Sequence, residues 1–145
     1  MGQQASLTQT LLSLKLDVCC VSETRIQDLE LIRLSHVSLC EYPVTAAAIR
    51  GMYGVRIYFS SRDEDALLDW IPVNSRLCAV RLNGVTKVNA HRRRKRCLFV
   101  ISAYAPTDVA SEAEKDNFYR ELTRLVRCAK NTDILVLAGD MKLVD

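Results

Sequence analysis

An α/β fold, with sheets covered by helices, is what this 145-residue sequence predicts. Three observations carry that expectation. Residues 18–21, 97–104 and 134–138 are short, mostly apolar runs of the kind shown by strands covered on both faces. Leu7, Leu11 and Leu14, and later Phe118, Leu122, Leu125, Val126 and Ala129, recur at helical steps. Each helical pattern follows a capping-box pair, Ser6 with Gln9 and Ser111 with Glu114.

Composition sets the outer bounds. The length is that of about one domain, and 49% apolar with 26% charged residues excludes a disordered chain. No run approaches the ~20 apolar residues of a spanning helix. Residues 1–16 have no basic start, apolar core or small-residue cleavage site, so the expected location is intracellular, nucleus or cytoplasm, not secreted. Twenty Lys and Arg against 17 Asp and Glu leave a net charge of +3, too small alone to name a nucleic-acid partner. The six cysteines form no Cys-x-x-Cys pair and are expected to be reduced and mostly buried. His36 and His91 have no finger-like spacing, so zinc is not expected.

Taken in order, residues 7–14 predict a helix and 18–21 a strand that stops at polar Ser22-Glu23-Thr24. Residues 27–48 carry mixed signals and predict nothing firm. Gly51 and Gly54 bracket a turn before a strand at 55–60, and Asp63-Glu64-Asp65 predicts a loop. Residues 67–73 and 77–82 are β-prone, separated by Pro72, Asn74 and Ser75, and Asn83-Gly84 marks a turn. Trp70, among Leu67, Leu68 and Ile71, is expected on a core or sheet face. The basic run Arg92, Arg93, Arg94, Lys95 and Arg96 leads into the strand at 97–104, so it is expected on a loop or at that strand's exposed start. A long amphipathic helix then leads to the last strand, 134–138, which exits into Gly139-Asp140.

Two carboxylates share a setting: Glu23 follows one buried-type strand and Asp140 another. Ligands gather beyond the carboxyl ends of strands, where loops converge. If the strands are neighbours, the two carboxylates can meet on Mg²⁺, a hard ion that keeps several waters and needs few protein ligands. Tyr104, at the end of another strand, could donate to developing negative charge. Each carboxylate taken alone is more often a turn former or helix cap. The basic run has three readings: a solvated hairpin, a phosphate-binding surface, or a nuclear-import signal.

Together these residues resemble a known family. Residues 17–26, DVCCVSETRI, are similar to the metal-ligand motif of the endonuclease/exonuclease/phosphatase superfamily. Residues 100–107, VISAYAPT, resemble its tyrosine-bearing strand, and 134–141, ILVLAGDM, its glycine-aspartate strand. Residues 51–60, GMYGVRIYFS, match its glycine-containing turn and strand. The flavour is that of the apurinic-type endonuclease domain of non-LTR retrotransposons and craniofacial development protein 2-like relatives. The resemblance runs over residues 14–140, in the family's order.

It implies a two-layer, DNase I-like β-sandwich flanked by helices, and a Mg²⁺-dependent endonuclease acting on DNA, with Mn²⁺ as an alternative ion. Glu23 would hold the metal, Tyr104 would contact the scissile phosphate, and Asp140 would orient the attacking water. Residues 92–96 would contact nucleic acid. Lys142 stands where the family has an asparagine, exchanging a group that donates and accepts for a cation with donors only. The family's opening strand and its closing Asp-His pair have no counterpart here, so residues 1–145 are expected to form a single partial domain, truncated at both ends, with low activity. The alternative expectation is a non-catalytic remnant that binds nucleic acid or a protein through the basic loop.

Overall fold

The computed structural model describes residues 13, 18–22, 37–41, 54–60 and 66–141. The expected helix at 7–14 and the loop at 63–65 lie outside these, as do Glu23 and Lys142. The described strands are β1 (Val18–Ser22), β2 (Val37–Glu41), β3 (Val55–Ser60), β4 (Leu67–Asn74), β5 (Leu77–Leu82), β6 (Val85–Asn89), β7 (Arg92–Lys95), β8 (Leu98–Tyr104) and β9 (Ile134–Asp140). One helix among the described residues, α1 (Glu112–Arg127), joins β8 to β9.

Two sheets face each other. The first has the order β1-β3-β2 and is antiparallel; the second is β4-β5-β8-β9, antiparallel except for a parallel β8–β9 pair. Between β8 and β9 runs α1, a crossover of the kind parallel neighbours require. The expected α/β sandwich is therefore what the structure shows.

Strand alternation explains the layering, because successive side chains leave opposite faces. Cys78, Val80 and Leu82 of β5 and Val100 and Tyr104 of β8 turn toward the first sheet and meet Val55 and Ile57. Val18, Cys20 and the half-buried Trp70 pack against that cluster. The intervening residues, Leu77 and Ala79 of β5 and Phe99, Ile101 and Ala103 of β8, turn the other way. They lie under Phe118, Leu122 and Leu125 of α1. Phe99 is fully enclosed, and burying such a side chain stabilises by ~1.5–3 kcal/mol.

The second capping box forms as its residue pattern predicts. Glu114 N donates to Ser111 Oγ at 3.2 Å, and Ser111 N donates to Glu114 Oε2 at 2.9 Å. Such caps contribute about 1 kcal/mol. Pro72 sits in β4, an edge strand among the described residues, the setting in which sheets tolerate proline.

Asp133 ties the helix end to the sheet. Its Oδ2 accepts from Lys130 N at 2.8 Å and from Arg81 Nη2 at 3.0 Å, while Arg81 also donates to Cys128 O at 2.8 Å and stacks over Phe99. The Lys130 amide first, and then Arg81, hold the Asp133 carboxyl below the usual carboxylate range, against the opposing effect of desolvation. A depressed folded pKa stabilises above the unfolded value near 3.9 and is lost as pH falls through the folded one. Asp133→Asn is accordingly expected to melt at lower temperature than the parent at pH 7. The gap should close in thermal melts as pH falls through the lowered Asp133 pKa.

Three expectations are corrected. Four residues of the basic run, Arg92–Lys95, are neither loop nor the start of β8 but form β7 of a separate two-stranded hairpin with β6, and Arg96 follows it. The strand at 134–138 is not buried: Leu135, Val136 and Leu137 of β9 are 43%, 38% and 45% exposed, on a strand with a hydrogen-bonded neighbour on one side only among the described residues. The five cysteines whose side chains are described are free thiols as expected, but of these only Cys78 is buried, and Cys128 is exposed. Among the described residues, no helix is long and apolar enough to cross a membrane.

Candidate functional site

The parallel register decides where the site lies. Its last pair sets Tyr104 beside Asp140, at the carboxyl ends of adjacent strands. Ala105 N donates to Asp140 O at 3.0 Å and carries the ladder one residue past β8. The sequence placed these two residues at strand ends; the ladder makes them neighbours.

Gly139 permits this closeness. Its φ of 138° lies where side chains are rarely tolerated, and a Cβ there would stand 1.7 Å from Ala103 O. The chain therefore needs glycine immediately before Asp140, and the Gly-Asp pair has a backbone cause.

Tyr104 is 5% exposed and Asp140 is exposed, so the phenol is held by packing while the carboxylate faces solvent. Beneath them the fully buried Ser102 hydroxyl faces the Cys20 thiol. The contact is too loose for a well-formed hydrogen bond, and Ser102 Oγ has no other partner among the described residues. Desolvation pushes Cys20 up to about 11, with Ser102 offsetting part of the effect. Burial also raises Cys19. Both are protonated near neutral pH, which suits packing rather than nucleophilic chemistry.

Glu23 lies outside the described residues. The strand before it, β1, ends at Ser22 and packs over β8 and β9 from the opposite sheet. The strands that precede Glu23 and Asp140 are therefore neighbours across the sandwich rather than within one sheet. β1 and β9 belong to facing sheets.

A residue that the sequence analysis missed stands beside Tyr104. Arg76 lies in the turn between β4 and β5, where Asn74 Oδ1 accepts from Arg76 N at 2.8 Å, an Asx-turn. Its guanidinium lies 5.2 Å from the Tyr104 ring centre, and Nη1 reaches Tyr104 O at 3.4 Å and Ala105 O at 3.2 Å. No local pattern signals this, since the partners are 28 and 29 residues away.

The basic hairpin is not part of this cluster. It springs from the Leu82/Leu98 end of the β5–β8 ladder, whereas Tyr104 and Asp140 close the other end. Six strand steps along β8 put the root of the hairpin about 20 Å from the Tyr104 end. Arg92, Arg93, Arg94 and Lys95 are all exposed. Arg96 is half-buried and instead donates from Nε to Thr132 O at 3.0 Å, while its N–H closes the hairpin on Gly84 O at 3.1 Å. Among the described residues, no group of three or more His, Cys, Asp or Glu converges as a metal site.

A mixed sheet with a parallel tyrosine-aspartate pair, faced by a second sheet and backed by a helix, is a DNase I-like α/β sandwich fold. The chain superposes on the crystal structure of the Xenopus laevis APE2 catalytic domain with a TM-score of 0.56 at 18% identity, covering 92% of this chain and 52% of that one. It is also 31% identical over 87 residues to craniofacial development protein 2 of Bos taurus, covering 60% of this chain and 13% of that protein. The chain thus spans about half of the solved domain and a small part of the curated relative. No protein-family model matches. Both comparisons support the resemblance to the endonuclease/exonuclease/phosphatase superfamily.

Proposed function

We propose that the chain is a Mg²⁺-dependent phosphodiesterase-type endonuclease domain acting on DNA, of retrotransposon-like ancestry. The observation that carries this reading is the register pair Tyr104–Asp140 at the ends of parallel strands. Asp140 offers exposed carboxylate oxygens that accept a proton from, or orient, a water. The Tyr104 hydroxyl donates to a phosphate oxygen as its charge grows. Asp140 and Glu23 supply hard carboxylate oxygens, the donor chemistry that would hold a Mg²⁺ retaining several waters. When bound, the ion would polarise a phosphoryl oxygen and steady the leaving alkoxide.

The test is nicking of supercoiled plasmid with Mg²⁺ and with chelator, for the parent chain beside Glu23→Gln. Mg²⁺-dependent nicking lost in the variant is expected. Folded parent protein that nicks no faster than Glu23→Gln sinks the reading.

A second reading, a non-catalytic module that binds nucleic acid through the basic hairpin, draws on four exposed cations standing apart from the Tyr104 end. Each phosphate contact contributes a slope of about −0.9 to log affinity against log salt. The double variant Arg93→Ala/Lys95→Ala is expected to flatten that slope by nearly 2 in a DNA-binding titration. An unchanged slope would leave the hairpin as a solvated loop.

A further inference from the structure

We infer that Arg76 is a positioning residue for Tyr104, a role that rests on the phosphodiester reading above where it concerns rate. Arg76 meets Tyr104 in three ways. Its carbonyl accepts from Tyr104 N at 2.8 Å, its Nη1 reaches the Tyr104 and Ala105 carbonyls, and its guanidinium lies over the Tyr104 ring. The Asx-turn at Asn74 fixes the backbone from which the side chain starts. Ala105 in turn donates to Asp140 O, so one arginine links the β4–β5 turn to the ends of both β8 and β9.

The geometry calls for arginine. A planar guanidinium can serve two carbonyls while stacking on an aromatic face, whereas lysine is a compact point charge that cannot do both. A ring held from one face and a backbone held at two carbonyls leave the Tyr104 hydroxyl a narrow range of positions. Displacement of a reacting group by about 1 Å can cost on the order of 100-fold in rate. Arg76 therefore acts on the reaction through Tyr104.

Arg76→Met, Arg76→Lys, Tyr104→Phe and the double variant Arg76→Met/Tyr104→Phe are compared in the full chain by plasmid nicking. Arg76→Met is expected to lower the maximal rate roughly tenfold or more, with the half-saturating plasmid concentration unchanged. Arg76→Lys, which keeps the charge and serves if the Met variant fails to fold, should not restore the parent rate. The double variant should be no slower than Tyr104→Phe alone, since contacting groups are non-additive. Effects that multiply, a change confined to half-saturation, or full rescue by lysine would each overturn the inference.

Nitrogen-15 NMR judges it apart from activity. The Arg76 side-chain N–H resonance should be shifted upfield by the Tyr104 ring and should return in Tyr104→Leu. If the parent nicks nothing, the phosphodiester reading fails and this resonance alone decides. The ring shift sustains the positioning of Tyr104 by Arg76, and its absence overturns it.

Discussion

Gly139→Ala is expected to destabilise the fold by about 3–4 kcal/mol and to abolish any Mg²⁺-dependent nicking. Two independent costs combine at this position. The backbone angle, φ 138°, is one that side chains rarely adopt. The added methyl would also lie 1.7 Å from Ala103 O and 2.8 Å from Ala103 C, both backbone atoms that cannot rotate away. Relief requires β9 to move off β8 at the register step beside Tyr104 and Asp140. Urea denaturation of parent and variant checks the stability, and an unchanged midpoint would mean that the strands part without cost.

Asp140→Asn should behave in the opposite manner. Its side chain is exposed and its main-chain carbonyl, not its carboxylate, takes the Ala105 hydrogen bond, so stability should stay within about 0.5 kcal/mol of the parent. Nicking should fall by ~10²–10⁴, because an amide keeps the shape of the carboxylate but cannot take up a proton. Plasmid affinity should hold or rise, since one negative charge near the phosphate is removed. A variant that nicks at the parent rate would take Asp140 out of the chemistry.

Much of the architecture is legible in local chemistry. The capping box at Ser111 and Glu114, the apolar face of α1 and the strands at 55–60, 77–82 and 98–104 each depend on residues close in the chain. What escaped depends on distant partners. β2 lies within residues 27–48, whose mixed polarity shows no period, and its place follows from antiparallel pairing with β3. The apolar run of β9 suggested burial, yet exposure depends on what the fold packs against its faces, which Ile-Leu-Val-Leu-Ala does not encode. At the site, Tyr104 and Asp140 could be placed at strand ends, but their adjacency is a property of the parallel ladder. Arg76 could not be found at all, being one cation in a turn until β5 and β8 bring it to Tyr104.

The separation of the basic hairpin from the Tyr104 end sets a length in nucleotides. Phosphates along one strand of a duplex follow every 3.4 Å or so, which makes about 20 Å equivalent to roughly six nucleotides. On the proposed reading, a duplex fragment of about three or four base pairs is too short to span from the root of the hairpin to the Tyr104 end. Past about six, the second contact becomes intramolecular, and affinity climbs in a step rather than in proportion to the charge added. The rigid sheet between the two ends would thus act as a gauge, favouring long polymers over short fragments that carry the same phosphodiester bond.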